Sequence, residues 1–212
     1  MRVRRAFLAT AILAGVAACG SGSAAAFQPA GSLSPAPVQA PLPGQAGQHL
    51  GGFRFPGDVS IDFTTPAPAD PARRAVIDGY RTYVLALWAA VLSHGKYGAD
   101  QQQATGNALA FVRREVARYG TQGTTIRGTI AYNDTRIAGS YFGAGADVLA
   151  CFDASAFHQV NAQTGATLGP ALPARLTRYL ENVAEGKRRD GTWFVSRLAV
   201  YPASTTHGAI CR

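Results

Sequence analysis

Asp153 and His158 stand five positions apart in VLACFDASAFHQV. A carboxylate and an imidazole are the side chains most often used to take a proton from a substrate, and a tyrosine hydroxyl can stabilise the oxyanion that forms. Tyr80, Tyr83 and Tyr141 could supply that hydroxyl. An aspartate enclosed in an apolar cavity would have its pKa raised towards the working range of a general base. Each residue also has a plainer use. Asp153 precedes Ala154-Ser155 at the end of a strand pattern, where it can cap a turn. His158 fits an exposed or hydrogen-bonded strand position. Tyr80 and Tyr83 recur at helical spacing and fit a core stripe, while Trp193 fits a core or a pocket wall. No catalytic residue is therefore assigned. Asp153 and His158 stay as catalytic candidates, and Tyr80, Tyr83 and Trp193 as pocket candidates.

Other reactive patterns are missing. The sequence contains no CxxC, HExxH or GxSxG, so neither a metal nor a cofactor is expected. GAGAD at 143–147 is glycine-rich but leads into a strand pattern rather than a helix, which argues against phosphate binding. The formal charge is +8, and leaving out Arg2, Arg4 and Arg5 lowers it to +5. That charge is mild and not clustered with aromatic residues, so no nucleic-acid partner is expected. Lys187-Arg188-Arg189 reads as a solvated hairpin tip, and Arg113, Arg114 and Arg118 as the solvated side of a helix.

The elements that would position these residues follow from periodicity. Asp70-Pro71 is a helix start, an N-cap followed by proline in the first turn. Val76, Tyr80, Tyr83, Leu87, Trp88 and Val91 then repeat every three to four residues. Ala104–Tyr119 reads as a second helix, with Leu109, Val112 and Val116 on one face. After Gly123 the period becomes two. Strands are expected at Thr125–Tyr132, Ala146–Asp153, Phe157–Asn161, Thr177–Glu185 and Thr192–Tyr201, with turns at Asn133-Asp134, Thr164-Gly165 and Asp190-Gly191. Helices followed by antiparallel strands predict an α+β fold, the helices packed on a curved, mostly antiparallel sheet.

Upstream of this domain the composition changes twice. Met1–Arg5 is short and positive, and Ala6–Ala18 is uncharged and mostly apolar. This is too short to cross a bilayer, so residues 1–18 read as a cleaved leader. Residues 19–68 are rich in Pro, Ala, Gly and Ser, with no charge from Gly20 to Phe53, and read as a disordered tether. The folded domain is then expected over residues 69–212, with Phe53, Phe55, Ile61 and Phe63 as possible contacts to it.

Val16-Ala17-Ala18-Cys19 resembles the lipobox of bacterial lipoproteins. The resemblance implies that Cys19 is lipidated and that the protein is held at the cell membrane on its extracytoplasmic face. Cys151 and Cys211 then remain, in a compartment where disulfides persist, and can pair. The competing use of two cysteines, a metal or redox site, lacks its usual spacing. The closing stretch RRDGTWFVSRLAVYP, with Asp190, Gly191, Trp193 and Val195, resembles the nuclear transport factor 2-like, cystatin-like cone superfamily. VLACFDAS and the Thr164-Gly165 turn look like its secreted branch in lipoproteins of high-GC Gram-positive bacteria. The resemblance implies a bent sheet around a helix, leaving a conical pocket. Such domains include isomerases, dehydratases and epoxide hydrolases, but also many binding and assembly domains, so fold alone does not give function. The expected function is binding without catalysis, of a small apolar ligand or an envelope protein partner. The alternatives are a small isomerase, dehydratase or hydrolase using Asp153, and an accessory subunit of an envelope transport or secretion complex.

Overall fold

The computed structural model describes residues 49–98, 100–141, 143–170 and 177–211. The leader, Cys19 and the first part of the tether lie outside the described residues.

Helix α1 (Pro71–Leu92) begins as its sequence requires: the Asp70 side chain accepts the Arg73 N–H at 2.8 Å. It ends where His94 and Gly95 turn the chain through positive φ. Its first turns bury one stripe. From Tyr83 to Val91 every residue is buried, so this half of the helix is surrounded rather than faced on one side. Helix α2 (Asp100–Gln103) is a single turn, and α3 (Gly106–Thr121) buries Ala108, Val112 and Tyr119.

Among the described residues, nine strands follow or precede these helices: β1 (His49–Leu50), β2 (Phe53–Arg54), β3 (Val59–Phe63), β4 (Thr124–Tyr141), β5 (Gly145–Asp153), β6 (Phe157–Asn161), β7 (Thr167–Pro170), β8 (Arg178–Lys187) and β9 (Trp193–Pro202). β1 and β2 pair with each other, and the other seven form one sheet of order β7-β6-β4-β5-β8-β9, with β3 beside β4. The β3–β4 pairing is parallel and the rest are antiparallel. Helix α1 packs against β4, β5, β8 and β9. The α+β architecture is the expected one.

Three details differ from expectation. Residues 49–63, assigned to the tether on composition, belong to the fold. Phe55, Val59, Ile61 and Phe63 are buried, and β3 pairs Val59–Phe63 with Gly128–Tyr132. Apolar residues at every second position outweigh the surrounding Pro and Gly. Asn133-Asp134 does not end a strand either. Asp134 takes a positive φ inside β4, and the register to β5 shifts between Asn133 and Arg136, so the pair makes a bulge in one long strand. β7 was not anticipated.

The alternation along the strands separates two faces. On β5, Ala146, Val148, Ala150 and Phe152 point to the helices, while Asp147, Leu149, Cys151 and Asp153 take the other side. On β8, Tyr179, Glu181, Val183 and Glu185 are the inner residues. A bulge at Ser196 of β9, between the pairs Ala184–Arg197 and Glu185–Val195, lets both Val195 and Leu198 reach the core. Cys151 and Cys211 form a disulfide on the outer face, Cα atoms 5.3 Å apart, packed with Leu180. It holds the final 3-10 turn (Gly208–Cys211) against the sheet.

Candidate functional site: an apolar cavity backed by a buried glutamate

A cavity of about 360 Å³ opens between the helices and the sheet. Its wall takes Leu87 and Trp88 from α1, Phe111 from α3, Phe152 from β5, Tyr179 from β8, and Leu198 and Val200 from β9. The aromatic rings are mutually braced. Phe152 stacks on Tyr179 with centroids 4.3 Å apart, and Trp88 lies parallel to Phe152 at 6.5 Å. The Trp88 indole donates to the Tyr132 hydroxyl at 3.0 Å, which fixes its rotamer. The charged residues of the site, Arg114, Glu115 and Arg118, all come from α3. A pocket of this kind, apolar with a few polar groups at one side, is the usual form of a small-molecule site.

Behind the Tyr179 wall lies Glu181, 2% exposed. It accepts the Tyr80 hydroxyl hydrogen at 2.7 Å. Burial pushes its pKa up to about 7, with the hydrogen bonds from Tyr80 and Tyr179 holding it back from going further. Burial and the neighbouring Glu181 charge raise the pKa of Tyr80, Tyr83, Tyr132 and Tyr179 well above the ordinary phenol value. Glu185, four residues along the same face, is raised by burial. Neither of its carboxylate oxygens has a hydrogen-bond partner among the described residues, so its neutral form is the favoured one.

The sequence-derived candidates are placed differently. Asp153 is on the outer face, away from the cavity. Its Oδ1 accepts the Ser155 N–H at 2.8 Å and its Oδ2 pairs with Arg178 Nε at 2.8 Å. Partial burial pushes its pKa up, but the Ser155 hydrogen bonds and the Arg178 charge outweigh this and hold it below the usual value. It caps a turn and is no raised-pKa base. His158 is exposed on β6, opposite Arg127. The two do not meet in an enclosed site. Tyr80 and Tyr83 are core residues behind the cavity, and the Tyr83 hydroxyl is buried without a hydrogen-bond partner among the described residues. The Tyr141 side chain lies outside the described residues. Trp193 packs on Gly79 of α1 and lines a second pocket, of about 520 Å³, at the start of that helix. Arg114 is exposed on α3, as expected of a solvated helix side, and it and the half-buried Arg118 also border the cavity.

Glu181 and Glu185 escaped the sequence reading, although a signal for them was there. Tyr179 and Val183 fix the buried face of β8, and residues 181 and 185 share its parity.

No protein-family model matches the chain, and no curated protein matches it. Two solved structures similar to it are the intermembrane-space region of the chloroplast protein ARC6 and a proposed ketosteroid isomerase from Shewanella frigidimarina. The first is 14% identical with a TM-score of 0.41, and the match covers 64% of this chain and 99% of that one. The second is 14% identical with a TM-score of 0.34, covering 61% and 97%.

Proposed function

We propose that the protein is a binding protein of the cell envelope. It takes a small apolar or amphiphilic ligand in the cavity between α1, α3 and the sheet. The lipobox-like sequence around Cys19 supports anchorage on the extracytoplasmic face of the membrane, with the residues between Cys19 and the domain as spacer. The observation that carries the binding reading is the cavity wall itself: seven apolar or aromatic side chains from five elements enclose about 360 Å³. The placement of acids supports binding over catalysis. Asp153 faces away, and Glu181 stands behind Tyr179, already engaged by Tyr80.

Native mass spectrometry of the full chain carrying Cys19→Ser, purified without detergent from the exported fraction, tests this. The expected result is a mass excess that is lost on denaturation. An empty protein that also fails to take up any of a panel of short-chain amphiphiles would overturn the reading and favour a protein partner.

A further inference from the structure

We infer that the ligand of this cavity is a single-chain amphiphile with an anionic oxygen head, a carboxylate or a phosphate ester, and that Arg114 receives that head. The inference rests on the binding reading above and specifies its ligand.

The charges at the cavity are all on α3, and they do not cancel. Arg118 donates to the Glu115 Oε2 through Nε at 3.0 Å and Nη2 at 2.7 Å. Its guanidinium also lies over the Tyr119 ring at 4.2 Å. Glu115 and Arg118 therefore form a closed pair with no net charge to offer. Arg114 is left over. Its Nε is 3.8 Å from Glu115 Oε1, beyond hydrogen-bonding distance, and its side chain is 67% exposed. The guanidinium lies over the Phe111 ring at 5.1 Å, and Phe111 is itself part of the apolar wall. A planar, permanently charged fork is thus held where the apolar surface meets solvent. Among the described residues, no other acidic side chain lines the cavity.

That arrangement selects a molecule in two parts. The aromatic and aliphatic wall takes a hydrocarbon body. The guanidinium fork takes a carboxylate or phosphate with two parallel hydrogen bonds and repels an ammonium group. A volume of about 360 Å³ is at the small end of ligand sites, which suits one acyl or alkyl chain rather than a two-chain lipid.

The test is calorimetric titration of the full chain carrying Cys19→Ser with decanoate, decyl phosphate, decanol and decylamine. Decanoate, decyl phosphate or both should bind about five-fold tighter than decanol, the range of a partly exposed charge pair, and decylamine most weakly. A preference for one anion over the other names the head group. Arg114→Gln should remove the anion preference, read as the ratio of anion affinity to decanol affinity in the same variant. Arg113→Gln, on the exposed neighbour that does not line the cavity, should leave both as they were. Equal binding of anions and alcohol, or an anion preference that survives Arg114→Gln, would overturn the inference and leave the cavity reading standing. Failure of all four compounds to bind would overturn both.

Discussion

The hydroxyl of Tyr80 on α1 donates to the carboxylate of Glu181 on β8 across the core, at 2.7 Å. The bond joins the central helix to the strand whose next inner residue, Tyr179, forms the cavity wall. Burial sets the protonation of this pair, and stability should follow it.

Glu181 has a pKa of about 7 in the folded protein against an ordinary value of 4.5. The folded state therefore holds more protons than the unfolded one between these values, and stability falls as pH rises through that window. The difference should amount to about 2–3 kcal/mol between pH 5 and pH 8. Glu185, also raised by burial, acts in the same direction. Glu181→Gln keeps an acceptor for Tyr80 and cannot ionise. Urea unfolding should find it more stable than the wild type at pH 8 and close to it at pH 5. A wild-type curve flat over this range would refute the assignment.

Gly79 sits inside α1, where alanine is ordinarily better by up to about 1 kcal/mol. Here a Cβ would lie 2.4 Å from the Trp193 Cβ and 3.3 Å from Glu185 Oε2. Both sit on a paired hairpin that cannot simply move aside, so overpacking wins. Gly79→Ala should destabilise by about 2 kcal/mol, read as a lowered Tm.

The Cys151–Cys211 bridge closes a loop with a sequence separation of 60. The chain-entropy model gives about 4 kcal/mol for such a loop. Cys151→Ser with Cys211→Ser should shift the urea midpoint accordingly, and the effect should match that of a reductant on the wild type. Thiol labelling of the oxidised protein should modify neither cysteine.

Leu198 faces the cavity from β9. Leu198→Trp can extend into that space without displacing a neighbour, so Tm should change little. Ligand uptake should fall by at least an order of magnitude, since the larger ring occupies the volume a chain needs. A variant that binds as the wild type does would place the ligand elsewhere.

If Cys19 carries the anchor, Cys19→Ala should move the protein from the membrane fraction to the soluble fraction. It should also abolish incorporation of labelled palmitate.

Much of the fold could be read from local signals. Asp70-Pro71 started a helix, Asp190-Gly191 turned a hairpin, and two leftover cysteines paired. Each depends on neighbours in the chain or on simple counting. The misses have physical reasons. β3 lies in a Pro- and Gly-rich stretch whose composition masked three apolar residues at alternating positions, Val59, Ile61 and Phe63. Asp153 was kept as a candidate base beside its turn-cap reading, although Phe152 and Asp153 must face opposite ways on one strand. Since Phe152 is core, Asp153 is outside. Glu181 was passed over because glutamate is rarely buried, yet its parity with Tyr179 and Val183 placed it there. A pocket was expected from the resemblance, but its lining could not be read, because the wall is assembled from five elements distant in sequence.

Helix α1 is long and apolar enough to cross a bilayer, yet two thirds of its most apolar stretch is buried inside the domain. The strands that enclose it, β4, β5, β8 and β9, all come later in the chain. In a protein exported from its N-terminus, α1 would enter the translocation channel before any of its cover exists. It would then pass the lateral gate as a segment resembling a membrane anchor. Asp78 and Arg81, a facing pair 3.6 Å apart in the finished fold, are then two unshielded charges that oppose sideways partition into lipid. Substituting both with leucine should leave a fraction of the chain stranded in the membrane halfway through export, a sorting defect with its origin in the core.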